Sequence, residues 1–78
     1  MFEVKMPKID HLSEEAIVVK WLKVEGDYVN KGEPLLQIET GKAVLEVESP
    51  HSGVVIKLYV AEGDIVPIHA QIADIAGG

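Results

Sequence analysis

The chain has 78 residues, 47% of them hydrophobic and 5% aromatic, which leaves room for one small domain and no deep substrate cleft. Its seven basic residues are all lysine and its net charge is −6, which argues against nucleic-acid binding, since that needs clustered Lys and Arg. The absence of cysteine excludes disulfides and cysteine-ligated metals, and the short apolar runs argue against a membrane span.

Alternation of apolar and polar residues predicts short β-strands along the whole chain. The predicted strands are 2–6, 17–24, 28–29, 35–39, 43–48, 54–60, 65–66 and 71–75. No stretch keeps a helical period for three turns, so the sequence predicts an all-β fold. The polar residues 8–15 are predicted to form an exposed loop. Residues 1–76 are predicted to form a single domain, and 77–78 a flexible end or the start of a linker.

A β-hairpin is predicted around the middle of the chain, where the strands 35–39 and 43–48 follow each other closely. Gly41 is expected to take a positive φ in the turn between them. Lys42 then lies at or next to the tip of the hairpin. A lysine held on such a rigid stalk suits a group that is modified and presented, although a turn lysine is more commonly a solvated charge.

The sequence also repeats itself, because residues 19–29 align without gaps on residues 56–66 at an offset of 37. Both segments carry Glu-Gly-Asp at the same phase, so both are predicted to make the same turn. Two similar β halves, neither of which can bury its apolar face alone, are expected to pack face to face about a pseudo-twofold axis. The first half carries a six-residue insertion within the loop 8–15, and Lys42 falls at the joint between the halves.

Three segments of the chain together resemble the lipoyl domains of acyltransferases from 2-oxo acid or acetoin dehydrogenase complexes. They are Lys-Val-Glu-Gly-Asp-Tyr-Val-Asn-Lys-Gly-Glu-Pro-Leu (23–35), Ile-Glu-Thr-Gly-Lys-Ala (38–43) and Ser-Pro-His-Ser-Gly-Val-Val (49–55). Met6-Pro7-Lys8-Ile9 is similar to that family as well, and the resemblance covers residues 1–76. It implies a flattened β-barrel of two four-stranded antiparallel sheets, with lipoic acid joined by an amide to Lys42.

The resemblance further implies a carrier that is not itself an enzyme, a swinging arm for acyl groups and reducing equivalents. The implied partners are a lipoate ligase or lipoyl transferase, a thiamine-dependent decarboxylase, the catalytic domain of an acyltransferase, and dihydrolipoyl dehydrogenase. The implied location is the cytoplasm, or the mitochondrial matrix in a eukaryote. We expect the isolated domain to be a monomer.

Alternatives remain open beside this interpretation. A biotinyl carrier domain has the same fold but flanks its lysine with Met on both sides, whereas Gly41 and Ala43 flank Lys42 here. An unmodified β interaction module is the second alternative. Gly41 also departs from the lipoyl pattern, which normally has Asp before the lysine. Glu39 is either recognised by the ligase or simply faces solvent. The loop 8–15 is either a recognition surface or a solvated insertion.

Metal binding is a weaker hypothesis. His11, His51 and His69 lack the close spacing of metal ligands, so surface positions are predicted for them. The two Glu-Gly-Asp turns offer only two carboxylates each, which is a weak pattern for Ca²⁺.

Overall fold

The computed structural model describes residues 1–8, 14–41 and 43–77, and within these ranges the chain forms eight β-strands and no helix. The strands are β1 (Phe2–Lys5), β2 (Glu15–Trp21), β3 (Tyr28–Val29), β4 (Pro34–Glu39), β5 (Val44–Glu48), β6 (Gly53–Leu58), β7 (Ile65–Pro67) and β8 (Gln71–Gly77). Each corresponds to a predicted strand, so the all-β prediction is confirmed.

All strands except β3 differ from the predicted bounds by one to three residues at one end or both, and β2 begins at Glu15, inside the predicted loop 8–15. Two of the differences at strand ends have a clear structural cause or consequence. β2 was expected to continue to Val24 but ends at Trp21. The N–H groups of Leu22 and Lys23 both donate to the carbonyl of Leu35, at 2.9 and 3.3 Å. Because two successive residues share one acceptor, the regular pairing of β2 with β4 ends at Trp21. β8 includes Gly77, which pairs with Gly53, so the strand runs one residue past the predicted domain end at 76. Gly78 lies outside the described residues.

The strands form two four-stranded antiparallel sheets. The first has the order β1-β8-β6-β3 and the second the order β5-β4-β2-β7. Most strands alternate between buried and exposed residues, whereas residues 72–75 of β8 are all buried, and the apolar faces of the two sheets pack against each other. The core between the sheets consists of Val4, Met6, Ala16, Val18, Trp21, Val29, Leu35, Leu36, Ile38, Val47, Val55, Val66, Ile72, Ala73 and Ile75.

The predicted internal symmetry is confirmed by the order of the strands. The offset of 37 residues converts β2, β3 and β4 into β6, β7 and β8, and the two sheet orders then correspond strand by strand, with β5 in the place of β1. Equivalent core positions are equally buried, since Val29 is 0% exposed and Val66 is 3% exposed. The two halves are therefore structural repeats related by a pseudo-twofold axis.

Each Glu-Gly-Asp turn is bonded to the opposite half of the molecule. The N–H of Gly26 donates to the carbonyl of Val55 at 2.8 Å, and the N–H of Gly63 donates to the carbonyl of Val18 at 2.7 Å. Both glycines have a positive φ, 95° and 92°, which residues with a Cβ rarely adopt. The halves thus exchange backbone hydrogen bonds, and neither can complete its own set alone.

The glutamate side chains of these turns also form hydrogen bonds with the opposite half. Glu25 accepts a hydrogen bond from the N–H of Leu58 at 3.0 Å, and Glu62 accepts one from the N–H of Trp21 at 3.1 Å. The indole of Trp21 donates to the carbonyl of Val60 at 3.0 Å. These carboxylates therefore satisfy backbone groups across the symmetry axis, which accounts for the repeated motif without Ca²⁺.

One pair of equivalent turn residues keeps the symmetry in its backbone but differs in residue type. His69 has a φ of 76°, and its equivalent in the first half is Gly32, with a φ of 89°. The N–H groups of these residues make matching bonds, to Met6 at 2.8 Å and to Ser49 at 2.9 Å. His69 therefore holds a left-handed conformation that costs a residue with a Cβ about 1–2 kcal/mol.

Replacing His69 by Gly is expected to raise the free energy of unfolding by about 0.5–1 kcal/mol, because the strain is removed and the side chain is exposed. The reciprocal change, Gly32→His, is the matched control and should lower the free energy of unfolding by a similar amount. Urea titrations of both variants measure the two changes. If His69→Gly is destabilising, the strain assigned to this turn is wrong.

Candidate functional site

The hairpin β4–β5 is anchored in the core along its whole length. Leu36 and Ile38 of β4 are fully buried, and Val47 of β5 is 7% exposed. Leu36 pairs with Val47, and the ladder continues to the pair Glu39 and Val44. The end of the hairpin is thus carried by strands that cannot tilt without disturbing the core.

Residues 40–43 connect these two strands. The N–H of Thr40 donates to the carbonyl of Ala43 at 3.0 Å, which closes the connection immediately after the last strand pair. Gly41 and Ala43 are exposed. Lys42, the predicted attachment residue, belongs to this connection by its place in the sequence but lies outside the described residues.

The expected positive φ of Gly41 is wrong. The described glycines with a positive φ are 26, 32, 53 and 63, and Gly41 is not among them. A four-residue connection can be built around right-handed residues, so no glycine is required at this position. A Cβ placed on Gly41 would meet no heavy atom within 4 Å. The turn therefore has open space on this side and accepts a larger residue.

A shallow cavity of about 290 Å³ lies beside this turn. It is lined by Glu15, Ala16, Ile17, Glu39, Thr40 and Gly41. The start of β2 reaches the turn because Ile17 pairs with Glu39 across the sheet. Glu15 and Ile17 were not predicted as neighbours of the turn, because the alternation pattern identifies strands but not which strands pair.

The loop 8–15, interpreted either as a recognition surface or as a solvated insertion, lies between Met6 and β2, and both of these borders are bonded to the turn between β7 and β8. Ile68 donates from its N–H to the carbonyl of Glu14 at 2.9 Å. Met6 accepts from the N–H of His69 and donates to the carbonyl of Ala70, both at 2.8 Å. Residues 9–13, and His11 with them, lie outside the described residues. The bond to Ile68 therefore holds Glu14 against the β7–β8 turn, immediately before Glu15, which begins β2 and lines the cavity.

Groups with a shifted pKa lie away from the turn. The hydrogen bond to Asp74 and partial burial raise the pKa of Tyr59, in the sheet that does not contain the hairpin. The backbone N–H of Asn30 and the charge of Lys23 lower the pKa of Glu33, which lies before β4, at the opposite end of the hairpin from the turn. Neither group offers acid–base chemistry at the turn.

The described ranges lack metal-binding clusters and membrane-spanning helices. These ranges contain no group of three His, Asp or Glu side chains able to hold a metal ion. His51 instead stacks on Phe2, with the ring centroids 3.8 Å apart. The described ranges also contain no helix long and apolar enough to cross a membrane.

Comparison with known proteins gives consistent matches. The biotin and lipoyl family model, described as "Biotin-requiring enzyme", matches residues 2–75. The dihydrolipoyllysine-residue succinyltransferase component of the 2-oxoglutarate dehydrogenase complex of Staphylococcus saprophyticus is 40% identical over 78 residues, which cover this whole chain and 18% of that protein. The acetyltransferase component of the pyruvate dehydrogenase complex of Zymomonas mobilis is 44% identical over 61 residues, which cover 78% of this chain and 14% of that protein.

A solved structure extends the similarity to the complete fold. The lipoyl domain of the 2-oxoglutarate dehydrogenase complex of Azotobacter vinelandii matches with a TM-score of 0.79 and 29% sequence identity, and both chains are covered completely. The chain spans less than a fifth of the length of the two curated relatives, at 18% and 14%.

Proposed function

Since the chain belongs to the biotin- and lipoyl-attachment family, and within it is a non-catalytic lipoyl domain, we propose that it carries lipoic acid as an amide on the ε-amine of Lys42. The observation that carries this proposal is the open turn at the end of the anchored hairpin. Both neighbours of Lys42 in the sequence are exposed, and no heavy atom lies within 4 Å of a Cβ placed on Gly41. An amide-linked chain therefore has room at this turn.

The chain's own residues supply position rather than chemistry. Buried side chains of β4 and β5 fix the ladder, and the Thr40–Ala43 hydrogen bond closes it, so the connection that contains Lys42 stays at the end of a rigid support. When attached, lipoic acid supplies a cyclic disulfide able to accept an acyl group together with two electrons. The domain keeps this chemistry in solution, where separate enzymes can reach it.

In this proposal the domain, residues 1–76, works within an acyltransferase chain of a 2-oxo acid dehydrogenase-type complex, in the cytoplasm or the mitochondrial matrix. A lipoate ligase or lipoyl transferase modifies it. It then exchanges acyl groups and electrons with a thiamine-dependent decarboxylase, the acyltransferase catalytic domain and dihydrolipoyl dehydrogenase. The names of the relatives, which are acyltransferase components of such complexes, support this assignment.

Intact mass after co-expression with a lipoate–protein ligase tests the proposal. The mass is expected to rise by that of one lipoyl group. Peptide mapping should place this group on Lys42 and on none of the other six lysines. Amide formation removes one positive charge, so the net charge moves from −6 to −7 and the domain migrates faster on a native gel. A biotin mass, a different lysine, or no modification contradicts the proposal.

Gly41→Asp, which restores the carboxylate that the lipoyl pattern has at this position, is expected to stabilise the domain by about 0.3–1 kcal/mol, because Asp restricts the unfolded chain more than Gly does. The side chain has free space and the backbone φ is not positive, so no strain opposes it. We also expect faster lipoylation. Urea titration and a time course of the intact mass measure the two effects, with Gly41→Ala as the control that lacks the carboxylate. A rate no higher than that of the control contradicts a role for the charge.

A further inference from the structure

Four side chains form a line across the outer face of the sheet, at the end where the lysine turn lies. Ile17 pairs with Ile65 on one side and with Glu39 on the other, and Glu39 pairs with Val44. Paired residues of antiparallel strands project to the same face, and adjacent strands lie about 4.8 Å apart, so the line is roughly 14 Å long. We call Ile65, Ile17, Glu39 and Val44 the hairpin-end row.

The apolar members of the hairpin-end row are exposed to solvent. Ile65 is 61% exposed, Val44 is 56% exposed and Ile17 is 38% exposed. The row faces away from the core, because Ala16 and Val18, on either side of Ile17, are 2% and 0% exposed. Single exposed aliphatic residues are ordinary, but three aligned around one acidic group form a continuous patch.

A second copy of the chain does not fit this patch. A twofold interface centred on the row would bury Glu39 of both copies among residues of the row, none of which carries a positive charge, and each copy has a net charge of −6. A matching partner needs an apolar surface with a Lys or Arg opposite Glu39. This combination describes a transient complex with another protein.

We propose, on the premise of the proposed function, that the hairpin-end row is the docking surface for the enzyme that attaches lipoate to the domain. That enzyme must bring its active site to an amine on the four-carbon stem of Lys42, so it has to cover the surface beside the turn. Ile17 and Ile65 are then contact residues that act on affinity, and Glu39 pairs with a cation of the enzyme.

The test compares lipoylation kinetics of the variant Ile17→Thr/Ile65→Thr with those of its symmetry-related control. Thr keeps the β-branched shape that suits strands. The control is Val54→Thr/Tyr28→Thr, because Val54 and Tyr28 lie 37 residues after Ile17 and 37 residues before Ile65, on the outer face of the other sheet, and are 37% and 55% exposed. With purified lipoate–protein ligase, lipoic acid and ATP, we expect the KM for the row variant to rise about tenfold, with kcat and the site of modification unchanged. The control should stay within about twofold of the unmodified sequence.

Glu39→Gln provides an independent measurement of the charge. Added salt should raise the KM of the unmodified sequence and have less effect on this variant, because salt screens exposed charges. Equal KM values for the row variant and the control would overturn the proposal. So would a normal KM for ligation combined with slower acylation by the decarboxylase, which would assign the row to that enzyme. Failure of the unmodified sequence to be lipoylated at all would instead reject the proposed function.

Discussion

Gly53→Ala is expected to destabilise the domain by about 3 kcal/mol or more. A Cβ at this position would lie 2.0 Å from the carbonyl oxygen of Ala76 and 2.9 Å from the side chain of Ile75. The oxygen belongs to the backbone of β8, which pairs with β6 on one side and β1 on the other, so it cannot move aside locally. Typical stabilities per residue give a domain of 78 residues roughly 4–12 kcal/mol in total, so this loss is about a quarter to three quarters of the free energy of unfolding.

Urea titration and thermal unfolding of Gly53→Ala measure this loss. Gly41→Ala is the matched control, because the same methyl group meets open space there, and its free energy of unfolding should be unchanged or slightly higher. Similar stabilities of the two variants would show that β6 and β8 are not as close at Gly53 as the structure has them.

Insertion of one glycine between Gly41 and Lys42 is expected to reduce the rate of lipoylation at least about tenfold, and Lys42→Arg to abolish it. The connection between Glu39 and Val44 is closed by the bond from Thr40 to Ala43, so a fifth residue alters the closure and changes the direction of the lysine. Stability should change little, since lengthening an exposed loop by one residue costs little entropy.

The measurement is a time course of intact mass for the natural sequence and the insertion, with Lys42→Arg as the blank. Thermal unfolding shows whether the insertion variant is folded. A folded insertion variant that is modified at the natural rate would mean that the ligase does not read the position of the lysine in the hairpin. A lipoyl mass on Lys42→Arg would place the attachment on another lysine.

The strands were predictable because nearly every one of them buries a single face, so alternation along the sequence reports burial directly. The repeat at an offset of 37 predicted the symmetry, because both halves must make the same turn to complete the same pairing. The same offset also relates Gly32 to His69, so the left-handed conformation of His69 could have been inferred from the sequence.

Features that depend on contacts between distant residues could not be predicted in this way. Alternation does not say that Ile17 lies between Glu39 and Ile65, and therefore did not reveal the exposed row beside the turn. The Glu-Gly-Asp turns were recognised as turns and as a weak pattern for Ca²⁺, but not as acceptors of hydrogen bonds from the other half, which is what each glutamate is. For Gly41 the expectation of a positive φ rested on residue type alone, and the four-residue connection does not impose it.

The pairing of β1 with β8 has a consequence for how the domain can be joined to other sequences. β1 and β8 pair as β5 and β4 do, so Gly77 corresponds to Thr40 and Met1 corresponds to Val44. Three residues between Gly77 and Met1 would close the chain into a ring with two equivalent turns. A circular permutant opened elsewhere would keep all eight strands. A tether attached at either end of the chain accordingly enters at the symmetry-related position of the lysine turn and leaves the turn itself uncovered.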